Sequence, residues 1–172
     1  MGEIAFRYAT SADVGAIHAL VERVYRGPEA RAGWTSEADL LSQPRTSAAE
    51  VAGLIADDDH RFVLGEREGK LIACAMIERR DKTGYFGMLS VDPAVQTAGI
   101  GRALLAQLEA SARTLWNCSS MTLSVINLRH ELIAWYERRG YVQTGGHYPF
   151  PFEQHPASGR DDFDVLEMRK TL

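Results

Sequence analysis

Apolar and polar residues alternate in several short stretches of this chain, and in others apolar residues recur every three or four positions. Alternation over residues 4–8 predicts a half-buried strand, and the spacing that follows predicts a helix with one buried face. The nearly uninterrupted apolar run 121–126 is typical of a strand buried on both sides. The predicted strands are residues 4–8, 61–66, 70–77, 84–91, 121–126, 141–147 and 165–169. Helices are expected from Thr10 or Ser11 to about Arg26, around residues 36–41, after a capping-box match at 47–50, over 99–115 and over 129–139.

The order of these elements predicts the fold class. A strand, a helix and a second strand follow one another between Gly84 and Ile126, and such a crossover places its two strands parallel. Glu68 and Gly69 predict a hairpin turn, and the remaining strands are expected to be antiparallel. We therefore expect an α/β (α+β) protein with a mixed, mostly antiparallel twisted sheet of about seven strands and helices on both faces. The length of 172 residues predicts a single domain, 1–172.

Composition excludes several classes of protein. Hydrophobic residues make up 45% and charged residues 24% of the chain, as in ordinary soluble domains. The net charge of −4 argues against a nucleic-acid partner, which attracts basic surfaces. The chain lacks an apolar run long enough to cross a membrane, and its first residues do not resemble a signal peptide. Two distant cysteines indicate neither a disulfide framework nor a metal site. We expect a cytoplasmic protein without metal, membrane or nucleic-acid partners.

A glycine-containing loop carries the clearest chemical pattern. The predicted strand 84–91 is followed by a loop that closes with Gly99 and Gly101 at the start of a helix. Because glycines let the backbone approach a ligand and the first amides of a helix lack acceptors, this pattern predicts a phosphate cradle, with Arg102 adding positive charge. A P-loop would need Lys followed by Ser or Thr where Arg102 stands, and a dinucleotide site would need a small residue at Leu104. Alternatively, the glycines only allow close helix–strand packing.

Two motifs together resemble a known family. The first is Gln96-x-x-Gly99-x-Gly101, and the second is residues 135–141, WYERRGY, at the end of the last predicted helix. With the element order, which fits across nearly the whole chain, they resemble the GNAT superfamily of N-acetyltransferases. The resemblance implies a GNAT-like fold and acetyl-CoA as the acetyl donor. It also implies direct attack by a primary amine of a small molecule or peptide in a ternary complex, and fold-level analogy suggests a homodimer.

The resemblance also implies roles for individual residues. Tyr136 is expected to donate a proton to the departing thiolate; the alternative is a buried aromatic residue of an amphipathic helix. The family often has an asparagine seven residues before this tyrosine, where Arg129 stands here, whereas Asn127 lies nine before it, so the contact of either residue stays open. The backbones of Leu89 and Val91 would pair with the pantetheine arm like an added strand. The full set expected at acetyl-CoA is Leu89, Ser90, Val91, Gln96, Thr97, Ala98, Gly99, Ile100, Gly101, Arg102 and Asn127.

The acceptor pocket of the family is built by the loops that correspond here to residues 26–45 and 148–163. Trp34 and Glu37 in the first loop are therefore expected to contact the acceptor. Tyr85, on the predicted strand 84–91 before the glycine-containing loop, is expected to contact it as well. Tyr85 stands where some relatives carry a glutamate base, so the base is not identified. Aromatic and acidic residues of the second loop would suit a cationic amine, although loop packing and solvated surface explain them equally well. The acids are Asp161, Asp162 and Asp164.

A second hypothesis keeps the ligand but not the reaction. The missing glutamate and the displaced asparagine are compatible with a non-catalytic, regulatory module that binds acyl-CoA. Tight binding of acetyl-CoA without transfer to any amine would distinguish this module from an enzyme.

Overall fold

A computed structural model describes residues 2–32, 37–41, 43–150 and 162–172, with only the backbone described at 31, 32, 97 and 98. The strands are β1 (Ala5–Tyr8), β2 (His60–Arg67), β3 (Lys70–Arg80), β4 (Thr83–Val91), β5 (Ser120–Ile126), β6 (Val142–Pro149) and β7 (Asp164–Thr171). The helices are α1 (Val14–Tyr25), α2 (Ala48–Ala56), α3 (Ile100–Trp116) and α4 (His130–Glu137). Short 3-10 helices cover Ser11–Asp13, Pro28–Ala32 and Pro93–Ala98.

The strands form one seven-stranded sheet in the order β1-β2-β3-β4-β5-β7-β6. Neighbouring strands are antiparallel, except β4 and β5, which are parallel and joined through α3. The predicted order of elements, the parallel pair and the mixed sheet are confirmed. None of the helices in the described ranges is both long and apolar enough to span a bilayer.

Alternating side chains of the central strands fill a core on each face of the sheet. On β3, Ala73, Ala75 and Ile77 belong to the cluster that contains α3 and α4, whereas Cys74 and Met76 belong to the cluster that contains α1 and α2. This is the period of two expected for a strand covered on both sides. The prediction of helices on both faces is therefore confirmed.

Local sequence signals account for several element ends. The Ser47 hydroxyl accepts a hydrogen bond from the Glu50 amide at 3.1 Å and so caps α2, as predicted. Glu68 and Gly69 have φ values of 53° and 73° and form the tight turn between β2 and β3. The short helix expected around 36–41 is only a turn at 38–40, with residue 36 outside the described ranges. Two backbone bonds to the Glu37 carbonyl hold this turn, and one turn seldom extends without further packing.

Candidate active site

β4 and β5 pair over three residues and then separate. Residues 83–85 pair in parallel with residues 120–122, and although both strands are described throughout, no pair beyond Tyr85 joins them. Met88 has φ of +54°, and the register of β4 on β3 shifts between Cys74 and Met76. Such a β-bulge bends its strand. The sheet therefore opens into a cleft between the ends of β4 and β5.

The last residues of β4 form one wall of this cleft. Leu89 and Val91 line a cavity of about 400 Å³, and the Leu89 carbonyl accepts a hydrogen bond from the Tyr25 hydroxyl at 3.1 Å. Ser90 is 0% exposed, and its hydroxyl donates to the Met88 carbonyl at 3.0 Å. Of the three predicted residues, Leu89 and Val91 thus reach the cavity, and the Ser90 side chain lies in the core.

Asp92 fixes the turn that follows β4. Its Oδ1 accepts a hydrogen bond from the backbone amide two residues later at 3.1 Å, which caps the 3-10 helix Pro93–Ala98. Its Oδ2 pairs with the Arg23 guanidinium of α1 at 2.6 Å. The Gln96 side-chain amide donates to the Val91 carbonyl at 3.2 Å, which holds the loop against the end of the strand. The turn is therefore anchored to both β4 and α1.

The start of α3 presents backbone amides to the cavity. Gly99 has φ of +73°, in the left-handed region that glycine adopts most readily. The first backbone bond of α3 runs from the Ala103 amide to the Gly99 carbonyl at 3.1 Å, so the amides of residues 100–102 have no acceptor within the helix. Gly99, Gly101 and Arg102 line the cavity. Three amides and the positive end of a helix are suited to hold an anion.

The other predicted residues of this turn can act only through their backbone or are not described in full. The Ile100 side chain is buried in the core, which leaves its amide for a ligand. Thr97 and Ala98 lie in the 3-10 helix, and their side chains are outside the described part of the chain.

Three arginines gather beside this turn. Arg102, Arg138 and Arg139 line both the cavity and an adjoining surface depression. Arg139 stacks on the Trp135 ring with its guanidinium carbon 3.7 Å from the ring centroid, and it donates to the Trp135 carbonyl at 2.8 Å. Burial, and then the charges of Arg138 and Arg102, lower the pKa of Arg139. A bound anion would relieve this repulsion between like charges.

Tyr136 of α4 lines this cavity. It is 4% exposed and packs against Phe86, Trp135 and Tyr141, with ring centroids 5.8, 5.1 and 5.8 Å away. Within the described chain its hydroxyl has no hydrogen-bond partner. Burial raises the pKa of Tyr136 above its ordinary value of 10, so the phenol stays protonated at neutral pH. Its side chain therefore serves the core and also carries an available proton.

A second cavity, of about 240 Å³, lies between the separated halves of β4 and β5. It meets the first cavity at a wall that both share. That wall consists of Tyr25, Glu37, Leu89, Arg129, Leu132 and Tyr136. Two ligands, one in each cavity, would thus meet at this wall, to which Tyr136 belongs.

The three residues predicted to contact an acceptor differ in their surroundings. Glu37 is 8% exposed, and its carboxylate accepts hydrogen bonds from Arg26 at 2.7 Å and Arg129 at 3.3 Å. Tyr85 lines the second cavity, and the guanidinium carbon of Arg80 lies 3.8 Å from its ring centroid. Trp34 lies outside the described residues. Glu37 and Tyr85 thus both line the second cavity, Glu37 bonded to two arginines and Tyr85 stacked on one.

Asn127 and Arg129 occupy different positions at the end of β5. The Asn127 Oδ1 accepts a hydrogen bond from the Asp164 amide at 3.1 Å, which fastens the start of β7. Arg129, at the position that separates it from Tyr136 by seven residues, lines both cavities. The contact of Asn127 with acetyl-CoA stays a prediction.

The two described acids of the last loop, Asp162 and Asp164, do not line the second cavity. Asp164 pairs with His147 at 3.1 Å, Asp162 is exposed, and Asp161 is outside the described residues. The charged groups that the structure does place on the cavity lining are different. They are Arg26, Glu37, Arg45 and Arg129.

Sequence reasoning gave no role to several residues of the two cavities. Tyr25 continues the apolar face of α1 and is therefore indistinguishable from a core residue by pattern. Arg138 and Arg139 follow Trp135 by three and four positions, and this helical spacing was the available indication that they share its face. Arg45 belongs to the loop 26–45 that was expected to build the acceptor pocket, but spacing in a loop gives an individual side chain no role.

The sequence of this chain is similar to those of known acetyltransferases. Residues 16–141 match the sequence model of the acetyltransferase (GNAT) family. An IAA acetyltransferase of Azospirillum brasilense is 29% identical over 98 residues, which cover 56% of this chain and 63% of that protein. The chain thus matches less than two thirds of the length of this relative.

Solved structures with the same fold cover nearly the whole chain. The ribosomal-protein-alanine N-acetyltransferase of Brucella melitensis has a TM-score of 0.74 at 21% identity and covers 98% of this chain and 99% of that chain. The spermidine/spermine N-acetyltransferase SpeG of Vibrio cholerae has a TM-score of 0.71 at 22% identity, with coverage of 98% and 92%. At such identities the likeness concerns the fold alone.

Proposed function

The chain belongs to the GNAT acetyltransferase family, and we propose that it transfers the acetyl group of acetyl-CoA to a primary amine of a small molecule or peptide in a ternary complex. One observation carries this proposal. Gly99 and Tyr136 line one cavity, and Tyr136 also belongs to the wall that this cavity shares with the second cavity between β4 and β5. A donor in one cavity and an acceptor in the other would meet at this wall, beside Tyr136.

The residues of the first cavity fit acetyl-CoA, the acetyl donor of the family. The amides of residues 100–102 and the arginine cluster suit its diphosphate, because an anion there pairs with donors that lack acceptors in the helix. The backbones of Leu89 and Val91 would hold the pantetheine arm, with Gln96 supporting the turn. Ser90, Thr97, Ala98 and Asn127 complete the proposed contact set.

Bound acetyl-CoA supplies the thioester carbonyl, whose C–S bond breaks as a C–N bond to the acceptor amine forms. Tyr136 then gives its hydroxyl proton toward the sulfur, and the proton that the amine loses returns through water. The raised pKa of Tyr136 keeps this proton in place until the sulfur gains charge. The burial that raises this pKa also disfavours a bare thiolate, so both groups favour their protonated forms in the same surroundings.

Positioning contributes more than a protein base in this proposal. Among the described residues that line the two cavities, Glu37 is the one carboxylate, and it already accepts hydrogen bonds from two arginines. Deprotonating an α-amine with a pKa near 8 costs about 1.4 kcal/mol at pH 7. Holding two reactants together supplies up to about 7–11 kcal/mol. Water can therefore accept the amine proton.

A thiol-release assay with mass spectrometry of the products tests the proposal. We expect acetyl-CoA and a panel of primary amines and short peptides to yield free thiol and an acetylated amine. The surface variant Arg113→Gln, which is remote from both cavities, controls for handling of the protein. Tight binding of acetyl-CoA without an acetylated product from any amine would overturn the proposal and favour the non-catalytic module.

A further inference from the structure

The second cavity, the acceptor cavity of the proposed reaction, carries more positive than negative charge on its lining. Its described lining contains the guanidinium groups of Arg26, Arg45 and Arg129 and the single carboxylate of Glu37. Glu37 bonds to Arg26 at 2.7 Å and to Arg129 at 3.3 Å, so its charge is committed to these two groups. The cavity therefore retains positive charge after every described pair is formed.

Among the described residues of this lining, Arg45 is the charged group for which no described counter-ion is present. It is half-buried, and in the described part of the chain it makes neither a hydrogen bond nor an ion pair. Its guanidinium lies over the face of the Tyr25 ring, with the guanidinium carbon 5.3 Å from the ring centroid. An aromatic face orients a guanidinium but does not neutralise it. Its planar fork of donors therefore remains available to a carboxylate.

The Tyr25 side chain connects Arg45 to the wall shared by the two cavities, where the proposed reaction takes place. The tyrosine ring supports Arg45, and the hydroxyl of the same side chain bonds to the Leu89 carbonyl in the shared wall. The Arg45 guanidinium thus lies about the length of one tyrosine side chain from the wall shared by the two cavities. The cavity volume of about 240 Å³ is below the roughly 300–1,000 Å³ of pockets that hold drug-sized ligands. Both dimensions suit an acceptor of amino-acid size.

We propose that the acceptor is a small primary amine that also carries a carboxylate, the class to which free α-amino acids belong, and that Arg45 binds this carboxylate. The inference rests on the proposed function, because it concerns the acceptor of that reaction. A polyamine would bring further positive charge to three guanidiniums, and a peptide N-terminus has an amide in place of the nearby carboxylate. Both are therefore poorer acceptors.

Paired acceptors test this inference. Transfer is measured for a panel of L-amino acids and for the corresponding amino-acid amides, with the wild type, Arg45→Gln and the exposed control Arg113→Gln. We expect kcat/KM to be at least roughly 10-fold higher for an acid than for its amide, and Arg45→Gln to remove most of that ratio by slowing the acid alone. The amide has the less basic amine, so greater nucleophile availability cannot produce this preference.

A binding measurement tests the role of Arg45 without requiring catalysis. With coenzyme A present, N-acetyl amino acids should raise the melting temperature of the wild type more than their amides do, and Arg45→Gln should abolish the difference. Transfer that favours amides, polyamines or peptides would overturn the carboxylate class and leave the acetyltransferase proposal intact. Absence of transfer to any amine would overturn the acetyltransferase proposal, while the binding difference would still decide the role of Arg45.

Discussion

The Tyr25 hydroxyl donates a hydrogen bond to the Leu89 carbonyl at 3.1 Å and thereby joins α1 to the wall of the cleft in β4. Leu89 follows the bulge at Met88, where β4 has left β5. Its carbonyl thus obtains from a side chain a partner that β5 does not provide. Because the same Tyr25 side chain lies under Arg45, one residue shapes both the cleft wall and the acceptor cavity.

Replacing Tyr25 with Phe should destabilise the protein by about 1 kcal/mol, because the Leu89 carbonyl then lies partly buried without this donor. For a chain of this size, the melting temperature should fall by about 2–4 °C. Thermal unfolding followed by circular dichroism measures the change. The variant Tyr148→Phe provides the control, since Tyr148 is 52% exposed and its hydroxyl makes no hydrogen bond within the described residues. An unchanged melting temperature for Tyr25→Phe would contradict the importance of the Leu89 bond.

Replacing Tyr136 with Phe should lower kcat about 10²–10⁴-fold, because the ring still packs against Phe86 and Trp135 while the proton donor is lost. The KM for acetyl-CoA and the unfolding midpoint should change little. In the wild type, kcat should rise between pH 7 and 9 as the amine loses its proton. No decline is expected before pH 10, since burial raises the pKa of Tyr136. A decline that begins at pH 8 would assign the proton to another group.

Substitutions at the two glycines should separate strain from obstruction. Gly99→Ala should cost about 1–2 kcal/mol of stability, because residue 99 has φ of +73°. At Gly101 a Cβ would lie 3.6 Å from the Trp135 ring, an ordinary contact, so Gly101→Ala should fold normally. Gly101→Leu should instead fill the cavity and weaken coenzyme A binding at least roughly 10-fold. Titration calorimetry measures the affinity, and equal affinity for the Ala and Leu variants would remove the turn from the binding site.

Arg138→Gln should weaken coenzyme A binding without lowering the stability of the unliganded protein. Removing this charge relieves repulsion on Arg139, whose pKa the charges of Arg138 and Arg102 lower, so the unliganded protein should be unchanged or slightly more stable. Coenzyme A should bind roughly 10-fold more weakly and with a shallower dependence on salt. Urea unfolding and calorimetry at two ionic strengths test both effects. Loss of stability with unchanged affinity would indicate a structural role for Arg138.

Stability should fall steeply at alkaline pH. Burial raises the pKa of Cys74 to about 12 and also raises the pKa values of Tyr25, Tyr136 and Tyr141. The unfolded chain therefore releases these protons at lower pH than the folded chain. Their contribution is complete below about pH 8.5 and is lost as the pH rises, by up to about 1.4 kcal/mol per pH unit for each group.

Urea midpoints at pH 7, 9, 10 and 10.5 measure this loss, and Cys74→Ala should reduce the slope between pH 9 and 10.5. The Ala variant starts from a lower stability because the residue is buried, so the comparison concerns slopes alone. Parallel curves for the two proteins would show that Cys74 does not hold its proton in the folded state.

Periodicity predicted the order of elements because each strand and helix buries one or two faces over many residues. The parallel arrangement of β4 and β5 followed from the crossover that α3 requires. The bulge in β4 did not follow, because Met88 is not a residue type that favours a left-handed conformation, and the sheet imposes φ of +54° on it. The cleft depends on this bulge, so the hydrophobic pattern could not predict the shape of the cleft.

The two cavities differ in how far the sequence predicted them. The glycine turn and Tyr136 belong to contiguous motifs, and their roles depend on backbone geometry and on burial. The acceptor cavity depends on charges from separate parts of the chain. Glu37, for example, was predicted to contact the acceptor, but its bonds to Arg26 and Arg129 require contacts that no local pattern contains.

The wall shared by the two cavities constrains how this protein can diverge in sequence. A substitution in the shared wall, for instance at Leu132, alters both compartments at once, so we expect it to change the apparent affinities for donor and acceptor together. Residues that line one compartment alone, such as Arg45 or Phe150, are free of this linkage. Evolution towards new acceptors should therefore proceed by substitutions at residues that line the second cavity alone and leave the shared wall unaltered.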